Sequence, residues 1–400
     1  MVIKKERVIM TTIKPIIANL NSELVAIRQK LHSEPELSWE EYETTNYVAA
    51  YLDKLGIPYR RTKPTGIIAE LKGNKEGKTV ALRADMDALS VYEIREDIPY
   101  RSKTNGKMHA CGHDAHTAML LIAAKTLHAV RDEIEGTVRF IFQPAEEVAT
   151  GAKAMVEQGA MEGVDNAFGI HIWSQIDTGK IQCNKGPAFA SADIFKVTFK
   201  GQGGHAAAPH DAIDAVMIAS TFALNVQTVV SRTVNPLRPA VLTIGKMDVG
   251  TRFNVIAEDA ILEGTVRCFD QDVRTHMEAQ IRHYADQVAT LYGGTAEVIY
   301  EYGTQAVNND TASADLVERL AIEHFGTEAY HLDDPTMGGE DFSFYLDEVP
   351  GCFALVGSGN TEKDTRWAHH NGHFDIDEDG LRIGTELYVQ YALTWLQENK

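Results

Sequence analysis

Apolar residues recur at helical spacing near residues 13–32 and again over 39–55, so each stretch predicts an amphipathic helix. From Lys78 the pattern changes. KTVALRAD is a short apolar run that ends in charge, as a buried strand does, and HTAMLLIAAKTLHAVRDEI has the spacing and length of a helix. GTVRFIFQ is strand-like, GAKAMVEQGAM is helical, and DNAFGIHIW is a strand again. Strands alternating with helices predict an α/β domain with a mostly parallel sheet covered on both faces.

After about Cys183 the character shifts. IFKVTFKG alternates like a half-exposed strand, DAIDAVMIASTFALNVQTVV is a long helix, PAVLTIGKMDV and DAILEGTVRCFD are strands with one polar face, and HMEAQIRHYADQVATLY is a second helix. Two helices on an antiparallel sheet make a small α+β domain, inserted at about residues 184–296. The first character then resumes with a helix over 310–325, the buried strand GCFALVGSG and the closing helix GLRIGTELYVQYALTWLQ. The expected domains are therefore 1–183 with 297–400, interrupted by 184–296.

Composition narrows the classes. A chain of 400 residues has material for two or three domains, and 44% hydrophobic with 24% charged residues is ordinary for a folded globular protein. The formal net charge of -19 speaks against nucleic acid or an anionic membrane as partner, since both need a basic face. MVIKKERVIMTTIK has no apolar stretch behind its lysines, and the longest aliphatic run, Ala118 to Ala124, is far too short to span a bilayer. Cys111, Cys183, Cys268 and Cys352 have no paired spacing, so a reduced, cytoplasmic chain is expected.

In open α/β sheets, ligands bind beyond the carboxyl ends of the strands. Each predicted strand discharges polar groups there: Asp85 and Asp87 after KTVALRAD, Glu146 and Glu147 after GTVRFIFQ, His171 near the end of DNAFGIHIW, and His369 and His370 after GCFALVGSG. Met108-His109-Ala110-Cys111-Gly112-His113-Asp114 lies just before a helix. A Cys-x-His, a Glu-Glu pair or a lone histidine is ordinarily structural or solvated. Their joint placement at one sheet edge is what points to metal. Two divalent ions need anionic ligands side by side, which a Cys111 thiolate and the Glu147 carboxylate supply, with neutral imidazoles completing the set. Glu146 would stay free for proton transfer, the arrangement for hydrolysing an amide at neutral pH. A serine triad is disfavoured because no Gly-x-Ser-x-Gly elbow occurs. A zinc finger fails for want of a second Cys or His pair.

The stretches ALRADMDAL (81–89), MHACGHDAH (108–116), FQPAEE (142–147), GIHIW (169–173), GGHAAAPH (203–210), FNVIAEDAILEGTVR (253–267), MGGEDFSFY (337–345) and HHNGHFDIDE (369–378) resemble the aminoacylase/carboxypeptidase family of co-catalytic metallopeptidases. The similarity is to its amidohydrolase branch, which includes hippurate hydrolases, indoleacetyl-amino-acid hydrolases and N-acetyldiaminopimelate deacetylases. The resemblance implies a phosphorylase/hydrolase-like catalytic domain with a ferredoxin-like lid and dimerisation domain. It also implies two divalent ions per subunit, manganese or zinc with cobalt or nickel as further candidates. Cys111 resembles the bridging ligand, and His113, Glu147, His171 and His370 the remaining ligands. Glu146 resembles the general base, Asp85 the carboxylate that supports the metal shell, and His205 the histidine that polarises the scissile carbonyl. Asn254 and Arg267 resemble lid residues that hold the substrate, and Gly338 and Gly339 offer backbone N–H groups. Ser90 and Gly372 stand where the family usually has proline, and His369 directly precedes His370. The implied activity is hydrolysis of N-acyl-L-amino acids by a homodimer or higher homo-oligomer. The alternatives are a dipeptidase or carboxypeptidase of the same chemistry, or a metal-binding protein without turnover.

Overall fold

The computed structural model describes residues 2–400, with side chains from Ile13 onward. The chain forms two units. One comprises the chain to Ala188 with Asn308–Asp334 and Asp341–Lys400; the other comprises Phe189–Val307 with Pro335–Glu340.

The first unit is built on a seven-stranded sheet. Its centre is four strands: β1 (Lys75–Asp85), β2 (Glu135–Gln143), β3 (Asn166–Asp177) and β4 (Gly351–Gly359). They are parallel and lie side by side in the order β2-β1-β3-β4. Ile67–Lys72, itself paired with Tyr59–Arg61, closes one edge antiparallel and Ile181–Gln182 the other. β4 is buried at every residue, as a central parallel strand must be. Because β1 lies between β2 and β3, the crossover from β1 to β2 and the next from β2 to β3 run in opposite directions across the sheet. That reversal opens a crevice at the carboxyl ends of the strands. The register places Asp85 opposite Gln143 and Arg83 opposite Gly169, so His171 lies level with Asp85 at that end.

Helix His113–Ala129 begins three residues before the expected HTAMLL stretch and is buried on nearly all sides. Its Ala- and Leu-rich sequence suits a helix packed between others. It packs against Val2–Ser33 and Asp379–Glu398, and the latter also lies against β1, β3 and β4. Gly112, at the head of this helix, has φ 90°, and a Cβ there would sit 2.4 Å from Ile172 Cγ2. Only glycine allows the chain to turn there, between Cys111 and His113.

The second unit has strands Ser191–Lys200, Ala240–Val249, Asp259–Cys268 and Thr295–Thr304, all antiparallel. Helices Ala215–Asn225 and Gln271–Tyr292 connect them in β-α-β-β-α-β order. The spatial order is second, third, first, fourth, which is the ferredoxin-like arrangement. The boundary expected at residue 296 falls short. Thr295–Thr304 pairs with Ser191–Lys200, with Val298 opposite Val197, and alternates between exposed and half-buried positions. TAEVIYEYGT carries this two-residue period, so the second unit runs on to Val307.

Candidate metal centre and catalytic site

At the carboxyl end of the first unit's sheet, two groups of potential ligand atoms share one sulfur. Cys111 groups with His113 and Glu147 on one side, and with His171 and His369 on the other. Cys111 Sγ is 3.5 Å from His171 Nε2 and 3.8 Å from His369 Nδ1. His370 Nε2 is 3.4 Å from Glu147 Oε2. Two ligands of one tetrahedral ion, each bonded at ordinary zinc distances, lie about 3.4–3.8 Å apart. The Cys111–His171 and His370–Glu147 spacings fall within this range.

The hydrogen bonds settle which nitrogens face the centre. His113 Nδ1 donates to Asp87 Oδ1 (3.2 Å), so in the neutral ring the lone pair is on Nε2. That Nε2 is buried without a hydrogen-bond partner, as is Glu147 Oε1, 3.9 Å away. His171 Nδ1 donates to the carbonyl of Ile172 (2.6 Å), so its Nε2 lone pair faces the sulfur. His116 lies in the same cluster, but Asp85 Oδ1 takes its Nδ1 proton (2.6 Å) and its Nε2 accepts the N–H of Ile172 (2.8 Å). No lone pair remains on His116 for an ion. His369 is neutral, because burial depresses its pKa to about 3. Its Nε2 accepts the N–H of Ser174 (3.4 Å), so Nδ1 carries the proton and points it at the Cys111 sulfur. In that tautomer His369 donates to the sulfur, and the second nitrogen this loop brings to the site is His370 Nε2, beside Glu147. His370 has φ 65°, uncommon for a residue with a side chain, and its N–H donates to the carbonyl of Ala110 (2.8 Å).

Electrostatics favour cations. Burial and the neighbouring Glu147 and Glu146 push the Cys111 thiol well above its usual range. Burial raises Glu147 to about 7, against the pull of His113. Burial would depress His113, but Asp85 and Asp87 outweigh it and raise the imidazole to about 10. Without an ion, then, the site keeps protons on groups that would have to be a thiolate and a neutral imidazole to ligate. Positive charge placed among Cys111, His113 and Glu147 reverses all three preferences. The donor set and the orphaned atoms fit divalent metal.

Sequence reasoning gave Asp85 the supporting role. The structure divides that role between two carboxylates. Asp85 is held ionised chiefly by Arg83, against burial, and it receives Arg83 Nη1 at 2.7 Å. It orients His116 and faces His113 Nε2 at 3.7 Å. Asp87 orients His113. It also accepts the backbone N–H groups of Glu146 (3.1 Å) and Glu147 (3.0 Å) and the hydroxyl of Ser38 (2.7 Å). The sign of Asp87 in the sequence is its place two residues after Asp85, which returns it to the same face of the chain. Just before the glutamate pair, Ala145 has φ 54°, and its N–H is held by the buried Glu41 Oε1 (2.9 Å). The turn so fixed carries Glu146, whose Oε2 is 3.9 Å from His113 Nε2 in a side chain only 11% exposed.

The second unit brings the other expected residues into two groups. Gly204–His205 pairs with Val255–Ile256, His205 facing Val255, and Ala206 N–H donates to the carbonyl of Asn254 (3.3 Å). His205 Nδ1 accepts the N–H of Ala207 (3.0 Å), so a neutral ring carries its proton on Nε2, on an exposed side chain. Arg267 lies on Asp259–Cys268, beside Gly339, where a Cβ would come within 3.2 Å of its Nη1. This half-buried guanidinium has no hydrogen bond or ion pair among the described residues, and burial lowers its pKa. A half-buried guanidinium without a hydrogen-bond partner has the donors to bind an anion. Gly338 N–H donates to Thr336 Oγ1 (3.1 Å).

The profile of peptidase family M20/M25/M40 matches residues 81–394. The chain is 40% identical to the N-acetyl-L-cysteine deacetylase of Bacillus subtilis, over 96% of this chain and 91% of that protein. It is also 40% identical to thermostable carboxypeptidase 2 of Saccharolobus solfataricus, over 92% and 94% respectively. Among solved structures, it is similar to a dinuclear metal binding peptidase of the M20 family from Bacillus subtilis. The TM-score is 0.84 and the identity 34%, covering 95% of this chain and 99% of that one.

Proposed function

Because the chain belongs to peptidase family M20/M25/M40, we propose that it hydrolyses the amide bond of N-acyl-L-amino acids, N-acetyl derivatives first among them, with two divalent ions bound. The observation that carries this reading is the shared sulfur of Cys111. On one side of it stand His113 and Glu147, with His370 beside the glutamate, and on the other His171. Zinc suits a thiolate ligand by softness and manganese the carboxylate, so both are candidates.

When bound, the ions polarise the amide carbonyl and lower the pKa of a water molecule. The chain's own residues do the rest. Glu146 takes a proton from the attacking water and returns it to the nitrogen of the leaving amine. Asp87 holds the backbone of Glu146 and Glu147 and the ring of His113 in one arrangement, so base and ligand keep a fixed separation. His205 Nε2–H donates to the oxygen that becomes negative as the tetrahedral intermediate forms. Arg267 pairs with the free carboxylate of the amino acid, with the N–H of Gly339 beside it, and Asn254 holds the substrate from the turn that carries His205.

A carboxypeptidase places the scissile bond in the same relation to a free carboxylate, and one relative bears that name. A panel of N-acetyl, N-benzoyl and indoleacetyl amino acids, run beside dipeptides and N-blocked dipeptides, separates the two readings. Hydrolysis of the acyl amino acids above all others supports the proposal, and preference for dipeptides with a free amine contradicts it. We further propose that the second unit is a lid through which homodimers form. Cytoplasmic residence accords with four free cysteines and with the lack, among the described residues, of any helix long and apolar enough to cross a membrane.

A further inference from the structure

Arg28 is fully buried on a helix that otherwise faces the core with Ile13, Ile17, Leu24, Ile27 and Leu31, apart from His32 one turn on. A buried guanidinium is costly unless its N–H groups are answered. Here they are answered from far along the chain. Arg28 Nε donates to Asp114 Oδ2 (2.9 Å), Nη2 to Asp375 Oδ1 (2.7 Å) and Nη1 to Glu378 Oε1 (3.3 Å), and the guanidinium stacks 4.8 Å from the centre of the Tyr100 ring. Asp114 directly follows His113. Asp375 lies five residues beyond His370, in the loop that returns from it. The two loops also touch at the bond from His370 N–H to the Ala110 carbonyl.

We infer that Arg28 is a positioning residue for the metal centre, its fork tying the loop of Cys111 and His113 to the loop of His370 so that ligands from two distant segments keep one spacing. The inference rests on the reading of those residues as metal ligands. Each aspartate has a further partner: His32 Nδ1, from the same helix as Arg28, reaches Asp114 Oδ2 (2.8 Å), and the Tyr100 hydroxyl, from the segment before Cys111, donates to Asp375 Oδ2 (2.9 Å). Arg28 is the group that joins them. The N-terminal helix is thereby a working part of the centre and not only a cover on the core.

The test uses the full chain with Asp375→Ala, which removes the acceptor of Arg28 Nη2 and of the Tyr100 hydroxyl at the His370 loop and leaves Arg28 paired with Asp114 and Glu378, beside Arg28→Met and Arg28→Lys. Leu24→Ala on the same helix is the control for plain destabilisation. Zinc affinity is read by competition with a chelator. Amide hydrogen exchange is read over residues 366–376 of the metal-stripped protein. Asp375→Ala is expected to lose tenfold or more in zinc affinity, the scale for groups that orient ligands, and to exchange faster at His370. Arg28→Lys, with charge but no fork, should fall between Arg28→Met and the wild type. Leu24→Ala should lower the melting temperature and move neither readout. Wild-type affinity and exchange in Asp375→Ala would overturn the inference, whether or not Arg28→Met folds. A wild type that binds no zinc would instead sink the metal-site reading, while the exchange arm still judges the tie.

Discussion

Glu41 offers a test of how the catalytic turn is held. Its carboxylate is buried, with Oε1 accepting the N–H of Ala145 (2.9 Å) and of Trp39 (3.0 Å), and Oε2 accepting the Thr65 hydroxyl (2.7 Å). Burial, aided by the charge of Asp87, raises its pKa to about 7. The folded state therefore holds this proton more tightly than the unfolded chain does. The stabilising contribution is complete below the unfolded value near 4.5 and is lost as pH rises through about 7. A shift of this size corresponds to about 3 kcal/mol, most of it falling between pH 5 and 8. In Glu41→Gln the amide oxygen can keep both backbone N–H groups while the amide NH2 donates to Thr65, so the geometry survives and the titration vanishes. Urea unfolding of metal-stripped protein across that range should show the wild type losing stability relative to Glu41→Gln by about 2 kcal/mol or more. Parallel curves for the two proteins would refute the reasoning, because Glu41 would then titrate normally in the fold.

Glu146→Gln should retain both ions by elemental analysis while turnover falls by about a hundredfold or more, the scale for losing a general base; near-normal turnover would exclude Glu146 from that role. Cys111→Ala should lower occupancy of both ions without unfolding the chain. Beside it, His370→Ala should lose metal, whereas His369→Ala, which removes a donor to the sulfur, should lose less. In a homodimer whose His205 serves the partner's site, mixing inactive Glu146→Gln and His205→Ala subunits should restore roughly a quarter of wild-type activity, since half the dimers carry one intact site. Verified subunit exchange with no recovery would confine His205 to its own subunit.

The strands that build the site, and the polar groups at their ends, were legible because a parallel sheet buries short apolar runs and sends its chemistry to one edge. Cys111, His113, Glu147 and His171 could be placed together on that ground alone. The division of labour between His369 and His370 could not. It depends on Ser174 N–H occupying one ring nitrogen, a contact across 195 residues. Asp87 was visible as a residue, but its grip on both glutamates is a backbone contact that spacing does not reveal. Nothing in the sequence singles out Arg28 on its helix, since its partners lie 86 and 347 residues away. The boundary at 296 was set too early because the alternation of Thr295–Thr304 is shared by edge strands of either unit until the pairing with Ser191–Lys200 is seen.

The central claim is that two ions held around Cys111 make this chain an amide hydrolase. Its most direct test is to strip the protein of metal and titrate zinc or manganese back while following release of the free amino acid from an N-acetyl-L-amino acid. The account predicts no turnover in the stripped protein and activity that rises until two equivalents are bound. Hydrolysis that persists undiminished after complete removal of metal, or a fully loaded protein that cleaves no acyl amino acid in the panel, would contradict it.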